Sequence, residues 1–224
     1  MNSIERTNLT EAQEDYLKHI FLIEELRESV PTQLLSEKLG VKPGSVTGML
    51  KKLSELNLVT YQRYKGVRLT ETGKKMALEI IRHHRLIELY LSEALGYTWD
   101  EVHEEADKLE HVISEDFEAR ISEFLGNPTH DPHGDPIPSV ELKLPPAMDL
   151  IPLTEIQEQR TGIIKRVRTQ DRDELNMLAH LNLVLESLIQ VISTDKSGVR
   201  ISVGGERFLI PTSLANHIWL ILVD

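Results

Sequence analysis

The sequence lacks cysteine, and this absence narrows the chemistry that is open to it. None of the 224 residues carries a thiol, which excludes a disulfide framework and any metal site built on thiolates. A chain without disulfides suits a reducing compartment, so we predict a cytoplasmic protein. The sequence also lacks an apolar run of 18 residues, and its N-terminus does not pair a basic stretch with an apolar one. It therefore predicts neither a membrane span nor a signal peptide.

Basic residues are scarce overall, with 25 Lys and Arg against 36 Asp and Glu and a net charge of −11. Such an excess of negative charge opposes contact with nucleic acid. The distribution of charge along the chain favours such contact, because residues 42–75 hold eight Lys and Arg against two acidic residues. A basic segment within an acidic chain is typical of a surface that binds phosphates. An ordinary solvated face is the simpler alternative.

The first 75 residues follow the order of a winged helix–turn–helix. Thr10 and Gln13 form a capping box at the start of a first helix. A second helix is predicted over 32–39, and a third over 43–56 with proline at its first position. Two short strands then form a hairpin within 58–73. This order predicts a DNA-binding domain whose third helix enters the major groove. The alternative is a helical bundle with an attached hairpin.

Candidate DNA contacts lie on the third helix and on the hairpin. Small residues early in the helix would let the backbone approach DNA closely, and basic side chains on the hairpin suit phosphate contact. The predicted DNA-binding residues are Lys42, Gly44, Ser45, Thr47, Gly48, Lys51, Lys52, Arg63, Lys65 and Arg68.

Two longer helices are predicted next, over 74–95 and over 99–125. Their apolar positions outnumber what a small domain can bury by itself. A symmetric homodimer would cover this surface, since two-fold dimers are the commonest oligomers. Such a dimer would also match a palindromic site on double-stranded operator DNA.

The composition changes again in the last third of the chain. Residues 126–152 contain seven prolines and are predicted to form an irregular linker. From residue 153 onward, β-rich runs surround a helix-like stretch at 173–181, which predicts a small barrel-like domain. The predicted fold is mainly α with small β parts. We expect a DNA-binding domain at 1–75, a helical dimerisation and metal-binding domain at 76–141 and the barrel-like domain at 150–224.

A cluster of imidazoles and carboxylates marks the stretch predicted to be helical over 102–117. On an ideal helix, four of these side chains fall within an arc of about 100°, beside a stripe of apolar residues. Half-buried carboxylates are costly unless a cation compensates them, so the pattern predicts a divalent metal site. The four residues are His103, Asp107, Glu110 and His111, and further candidates on other helices are His84, Glu88 and Asp15.

Oxygen and nitrogen are the only donors in this set. Carboxylate and imidazole without thiolate suit Mn²⁺, Fe²⁺, Co²⁺ or Zn²⁺, and the hard oxygen ligands favour Mn²⁺. An enzymatic interpretation exists, because the sequence HEEAD at 103–107 is similar to the zinc-hydrolase motif H-E-x-x-H, with Glu104 as the base. Asp107 replaces the second histidine, and no nucleophile or oxyanion element lies nearby, so we predict no catalysis. A regulator that senses an organic ligand would need an apolar pocket, for which the sequence gives no sign.

Several longer motifs resemble the diphtheria-toxin-repressor family of iron- and manganese-dependent transcriptional regulators. They include EDYLKHIFLIEE, LGVKPGSVTGMLKKL, VHEEADKLEHVISEDFEARI and PHGDPIP, and the resemblance covers residues 10–138. The last 70 residues resemble the SH3-like third domain of the family more weakly. The resemblance implies a homodimer that binds palindromic operators when loaded with metal and shuts off metal uptake.

The family resemblance also implies two sets of metal ligands. Iron-sensing members commonly have Met and Cys at the positions of Asp15 and Asp107, so the carboxylates here resemble the manganese-sensing branch. Iron sensing by the same fold is the alternative. Lys18 stands where one manganese branch uses a carboxylate for a binuclear site. In the predicted recognition helix, Gly48 replaces a longer polar residue. Base readout would therefore rest more on Thr47, Ser45 and DNA shape. The main site would use Asp15, Asp107, Glu110 and His111, and the second site His84, Glu88, His103, Asp131, His133 and either Asp171 or Glu174.

Overall fold

A computed structural model of the chain describes residues 9–62 and 65–223. Its helices are α1 (Glu11–Glu24), α2 (Thr32–Lys38), α3 (Pro43–Glu55), α4 (Glu71–Leu95), α5 (Val102–Leu109), α6 (Glu115–Phe124), α7 (Arg172–His180) and α8 (Thr212–Ala215), with a 3₁₀ turn at Leu153–Glu155. Its strands are β1 (Val59–Gln62), β2 (Gly66–Leu69), β3 (Ile151–Pro152), β4 (Thr161–Val167), β5 (Leu188–Asp195), β6 (Gly198–Val203), β7 (Glu206–Pro211) and β8 (Ile218–Leu222).

The described chain forms two compact units. The first comprises the chain up to His84 together with Glu110–Ile113 and Pro138–Lys143. The second comprises Arg85–Leu109, Ser114–Ile137 and the chain from Leu144 onward. The three domains expected from the sequence, with boundaries at 75 and 141, remain a prediction. Across the residues that the structure describes, no helix combines the length and hydropathy that a membrane crossing requires.

The first unit has the predicted winged helix–turn–helix order. The capping box at the start of α1 is present, with the Thr10 amide donating to Gln13 over 2.9 Å and the Gln13 amide donating back to the Thr10 hydroxyl over 3.4 Å. The apolar face of α1 packs in one core with that of α3. The fully buried members of these two faces are Leu17, Ile20, Val46, Leu50 and Leu53.

The wing formed by β1 and β2 is anchored to the loop before α2. Val30 and Val67 exchange two backbone hydrogen bonds of 3.0 Å, which extends the hairpin by a third short segment. Gly66 adopts a φ of +92°, and a Cβ at this position would lie 2.4 Å from the Ser29 hydroxyl oxygen and 2.7 Å from the Val30 carbonyl oxygen. Any side chain at Gly66 would therefore displace the wing from its anchor.

The helix predicted over 99–125 is wrong as a single element, because the structure divides it into α5 and α6. The Ser114 hydroxyl accepts a hydrogen bond from the Phe117 amide and caps a new helix, and serine at this position competes with continued helix. Residues 110–112 form a turn. The ideal-helix arc therefore does not apply to Glu110 and His111, whose side chains are directed by the turn instead.

The β-rich composition of the last third is confirmed. Strands β3 to β8 form one antiparallel sheet in the order β3-β8-β4-β5-β6-β7. Asp171 caps α7 by accepting a hydrogen bond from the Glu174 amide, and α7 buries Leu175 and Leu178 against the sheet core. Residues 126–150 contain no helix and only one isolated bridge, as the prolines predicted.

Candidate functional site

Three of the four predicted main-site residues lie together in the first unit. Asp15, Glu110 and His111 each offer one ligand atom, and these atoms all lie within 4.8 Å of one another. His111 Nε2 is 3.1 Å from Asp15 Oδ1 and 3.4 Å from Glu110 Oε1. Helix α1 supplies the aspartate, and the turn after α5 supplies the other two. We call this group the α1–turn cluster.

The second nitrogen of His111 is held by Glu14, a buried residue that the sequence analysis missed. His111 Nδ1 lies 2.6 Å from Glu14 Oε2. Hydrogen bonds with Asp15 and then with Glu14 raise the pKa of His111 to about 10, although burial opposes this shift. A signal was available in the sequence, because Glu14 lies three and seven residues before Leu17 and Phe21, which occupy the buried face of α1.

Glu110 is fully buried and bonded on both oxygens. Lys18 Nζ lies 3.0 Å from Oε1 and 2.8 Å from Oε2, and His84 Nδ1 lies 2.5 Å from Oε2. Burial by itself would raise the pKa of Glu110, but the hydrogen bond and charge of His84, together with the Lys18 ammonium, outweigh it and lower the pKa. Glu110 is thereby held as a carboxylate inside the core.

Asp107, the fourth predicted main-site residue, belongs to the second unit. Its side chain is 49% exposed and lies 3.5 Å from His103 Nε2, one helical turn earlier on α5. Its assignment to the main site remains a prediction.

Four of the residues predicted for the second metal site belong to the second unit, in the part of the chain that precedes its β-sheet. They are Glu88, His103, Asp131 and His133. Glu88 Oε1 is 3.1 Å from His103 Nδ1. Asp131 is buried beside Arg85, and its pKa is raised well above the usual value by burial and then by the charges of Asp135 and Glu88. His133 is buried and stacked on Trp99, with ring centroids 5.8 Å apart. His84 belongs to the first unit.

The two third-domain candidates have other contacts. Asp171 caps α7, and Glu174 accepts a 2.5 Å hydrogen bond from the Thr169 hydroxyl and lies 3.1 Å from His217 Nδ1. Within residues 9–62 and 65–223, neither belongs to a group of three ligand atoms close enough to share an ion. Their role as ligands remains a prediction.

The predicted DNA-binding residues occupy an open surface of the first unit. Most are exposed, Thr47 is half-buried, and Arg68 pairs with Glu28 at 3.4 Å. A Cβ built at Gly44 or Gly48 would meet no described atom within 4 Å, so packing within the described chain does not require either glycine. Arg63 lies outside the described residues. The exposed members are Lys42, Gly44, Ser45, Gly48, Lys51, Lys52, Lys65 and Arg68.

The α1–turn cluster fits a divalent cation. It places two carboxylates and one imidazole within reach of a common point, and oxygen and nitrogen are donors that Mn²⁺, Fe²⁺ and Zn²⁺ accept. The raised pKa of His111 shows that the cluster attracts positive charge. In the second unit, burial and then the charges of Asp135 and Glu88 raise the pKa of Asp131, and a cation nearby would favour its ionised form.

Three family models match successive parts of the chain. Residues 8–67 match "Iron dependent repressor, N-terminal DNA binding domain", and residues 70–139 match "Iron dependent repressor, metal binding and dimerisation domain". Residues 151–221 match the FeoA domain, which confirms an SH3-like third part. These assignments agree with the fold class expected from the sequence.

Individual proteins extend the similarity over nearly the whole chain. The iron-dependent repressor IdeR of Mycobacterium tuberculosis is 31% identical over 222 residues, covering 94% of this chain and 96% of IdeR. A solved manganese-dependent transcriptional repressor in complex with manganese is 34% identical, with a TM-score of 0.88 over 94% of this chain and all of that one. The manganese regulator SloR is 31% identical, with a TM-score of 0.78 over 96% of this chain and all of SloR.

The matched repressor family consists of transcriptional regulators, and the similarity favours this function over the hydrolase alternative. The fold, the three family matches and the three near-full-length similarities above 30% identity agree with one another. The chain belongs to the diphtheria-toxin-repressor family of metal-dependent transcriptional repressors.

Proposed function

We propose that the protein is a manganese-responsive repressor that binds palindromic double-stranded operators as a homodimer and shuts off genes for metal uptake. The α1–turn cluster carries this proposal, because it joins a helix of the DNA-binding domain to the turn that holds Glu110 and His111 through oxygen and nitrogen donors alone. The relatives named as a manganese-dependent repressor and as a manganese regulator support the choice of metal.

Each residue of the cluster has a distinct role in the proposal. Asp15, Glu110 and His111 Nε2 would hold the ion, which when bound would supply the positive charge that the two carboxylates demand. Glu14 fixes the ring of His111 by holding Nδ1, so that Nε2 faces Asp15 and Glu110. His111 must give up a proton before Nε2 can coordinate a metal.

The effect of the metal on DNA binding depends on the relative stability of two conformations of the protein. An ion can shift the protein toward a DNA-binding conformation only by the difference between its affinities for the two conformations. A ligand on α1 is well placed for this, because α1 shares its core with α3, the predicted recognition helix. Asp107 is proposed as a further ligand of the same site.

A second site is proposed around Glu88 and His103, with Asp131 and His133 contributed by the proline-rich linker. The 3.1 Å contact between Glu88 and His103 and the raised pKa of Asp131 support it. His84 completes the set expected from the family resemblance, and either Asp171 or Glu174 is proposed as the ligand from the third domain.

Dimer formation is proposed to use the apolar surface of the helical region. Within the second unit, Leu95, Phe117 and Phe124 are 57%, 46% and 69% exposed. Phe117 and Phe124 are seven residues apart on α6 and so share one face of that helix, and an exposed apolar face is typical of protein interfaces. The match of residues 70–139 to a dimerisation domain supports this assignment.

The central test removes one ligand from α1. We expect Asp15→Ala to weaken Mn²⁺-dependent operator binding by at least about 100-fold, since even outer partners of metal ligands contribute about 10–100-fold in affinity. Binding would be measured by fluorescence anisotropy with and without chelator, and dimer mass by sedimentation, which should not change.

Glu11→Ala provides the matched control, because Glu11 is an exposed acidic residue on the same helix. The control should leave metal-dependent binding unchanged. Equal operator affinity of the unaltered protein in Mn²⁺ and in chelator would reject the proposed function.

Iron is the second candidate metal, and the name of the IdeR relative favours it. Anaerobic titration of operator binding with Mn²⁺ and with Fe²⁺ separates the two. Our proposal requires Mn²⁺ to activate binding at a free concentration below that expected in cells, since metal choice depends on availability as well as on ligands.

A further inference from the structure

Lys18 places an organic cation beside the α1–turn cluster. It is only 4% exposed, and its Nζ lies 3.0 Å and 2.8 Å from the two carboxylate oxygens of Glu110 and 3.0 Å from His84 Nδ1. A buried ammonium is costly unless it is paired and hydrogen-bonded. Glu110 provides that pairing, so the metal-free protein already contains a cation bound to the most buried carboxylate of the cluster.

The position of Lys18 follows from the geometry of α1. It lies three residues after Asp15 and four after Glu14, and residues at these spacings share one face of a helix. All three side chains contact residues of the turn that holds Glu110 and His111. The helix therefore presents two acids and one base to the same turn.

Glu110 is shared between two positively charged partners in the proposed function. It is the carboxylate that Lys18 holds, and it is one of the three residues whose ligand atoms lie within 4.8 Å of one another. A divalent ion bound there would lie within a few ångströms of the Lys18 ammonium. Charges at such separations interact strongly in a protein interior.

We propose that Lys18 determines the metal response of the cluster, because its ammonium competes with the divalent ion for Glu110. This inference rests on the proposed function of the cluster. Lys18 stabilises the metal-free protein by neutralising Glu110, and it lowers metal affinity through the same contact. It thereby raises the metal concentration at which the cluster fills.

The proposal requires two quantities to change in opposite directions when the charge is removed. Without Lys18, the buried carboxylate of Glu110 loses a partner, so the metal-free protein becomes less stable. The same loss removes the repulsion between the ammonium and the ion, so metal affinity increases. If Lys18 had a purely structural role, its replacement would lower both the stability of the metal-free protein and the metal affinity.

The experiment uses the full chain with Lys18→Gln, which removes the charge but retains an amide donor for Glu110. Lys18→Met is the second variant and retains the length of the side chain without a donor. Mn²⁺ binding is measured by calorimetry, and the binding component that disappears in Asp15→Ala is assigned to the cluster. The melting temperature is measured in chelator, and Lys38→Gln, at an exposed position on α2, is the control.

We expect both Lys18 variants to bind Mn²⁺ at the cluster at least about tenfold more tightly, and to melt at a lower temperature in chelator. Lys38→Gln should alter neither quantity. If the unaltered protein has an Asp15-dependent site whose affinity does not rise in either Lys18 variant, the inference is wrong and the proposed function stands. If none of these proteins has an Asp15-dependent Mn²⁺ site, the proposed function itself is wrong.

Discussion

His111 is held between two carboxylates of α1, with Nδ1 2.6 Å from Glu14 and Nε2 3.1 Å from Asp15. In the metal-free protein a proton on the imidazole satisfies both contacts, which is why the pKa rises to about 10. In the proposed function Nε2 would hold the metal, and Glu14 would keep its contact with Nδ1 and fix the ring. Glu14 would thus stabilise the site both without and with the ion.

The raised pKa of His111 predicts how the stability of the chelated protein depends on pH. A pKa that is higher in the folded state than in the unfolded state contributes stability fully below about 6.5, and this contribution disappears as the pH rises through about 10. The difference in free energy of unfolding between the unaltered protein and His111→Gln should therefore decrease steadily over this range. Urea denaturation in chelator at several pH values measures it, and a difference that grows with pH would contradict the assignment.

Single residues show where sequence reasoning succeeds and where it ends. Asp15, Glu110 and His111 were predicted from residue type and from family resemblance, and the structure brings them together. The partnership of Lys18 with Glu110 could not be predicted from local pattern, because it joins residues 92 positions apart in the chain. Helical spacing predicts which face of a helix a residue occupies, but it does not predict which side chain from a distant part of the chain contacts that residue.

At the scale of elements, α3 contains two glycines that packing within the described chain does not require. Glycine inside a helix lowers stability relative to alanine, and a Cβ at Gly44 or Gly48 would meet open space among the described atoms. The proposed approach of DNA to this face would explain why these positions lack side chains, since a methyl group would separate the backbone from the groove. The absence of a side chain is thus a feature of the proposed interface.

Gly48→Ala should therefore separate stability from DNA binding. We expect the free energy of unfolding to rise by about 0.5–1 kcal/mol, because alanine favours the helix, while operator affinity in saturating Mn²⁺ falls. Chemical denaturation and fluorescence anisotropy measure the two effects. Ser54→Ala, further along α3, is the control and should stabilise the helix without weakening DNA binding. Unchanged operator affinity in Gly48→Ala would show that this position does not lie against DNA.

The division between α5 and α6 shows a limit of prediction for whole elements. Apolar periodicity continues from 99 to 125 and no glycine or proline interrupts it, so a single helix was the natural expectation. The structure forms a turn at 110–112, where Glu110 bonds to Lys18 and His84. Ser114, a favourable N-cap residue, was the local signal of a new helix.

At the scale of the whole molecule, the fold was the most predictable property. The winged helix–turn–helix is encoded by a capping box, a proline at N1 and a hairpin, all of which are local. The β-rich third part was predicted from composition, and its strand order required the structure, since β8 lies between β3 and β4 in the sheet although it is distant from both in the chain.

Metal binding should also be visible in global stability. A ligand that binds only the folded protein stabilises it by about 2.7 kcal/mol at 100 times its dissociation constant. We expect Mn²⁺ at that excess to raise the free energy of unfolding by this order, and chelator to reverse the effect. In Asp15→Ala the increase should be smaller at the same Mn²⁺ concentration. An identical denaturation midpoint with and without Mn²⁺ in the unaltered protein would exclude preferential binding to the folded state.

The donor set of the α1–turn cluster has a consequence for redox chemistry. Peroxide converts cysteine thiolates stepwise to sulfenic, sulfinic and sulfonic acids, and the last steps are irreversible. Asp15, Glu110 and His111 contain no sulfur, and the chain has no cysteine at all. Oxidants that inactivate thiolate sites would therefore find no sulfur atom to oxidise among these ligands. Such oxidants would alter the supply and oxidation state of the metal before they altered the groups that hold it.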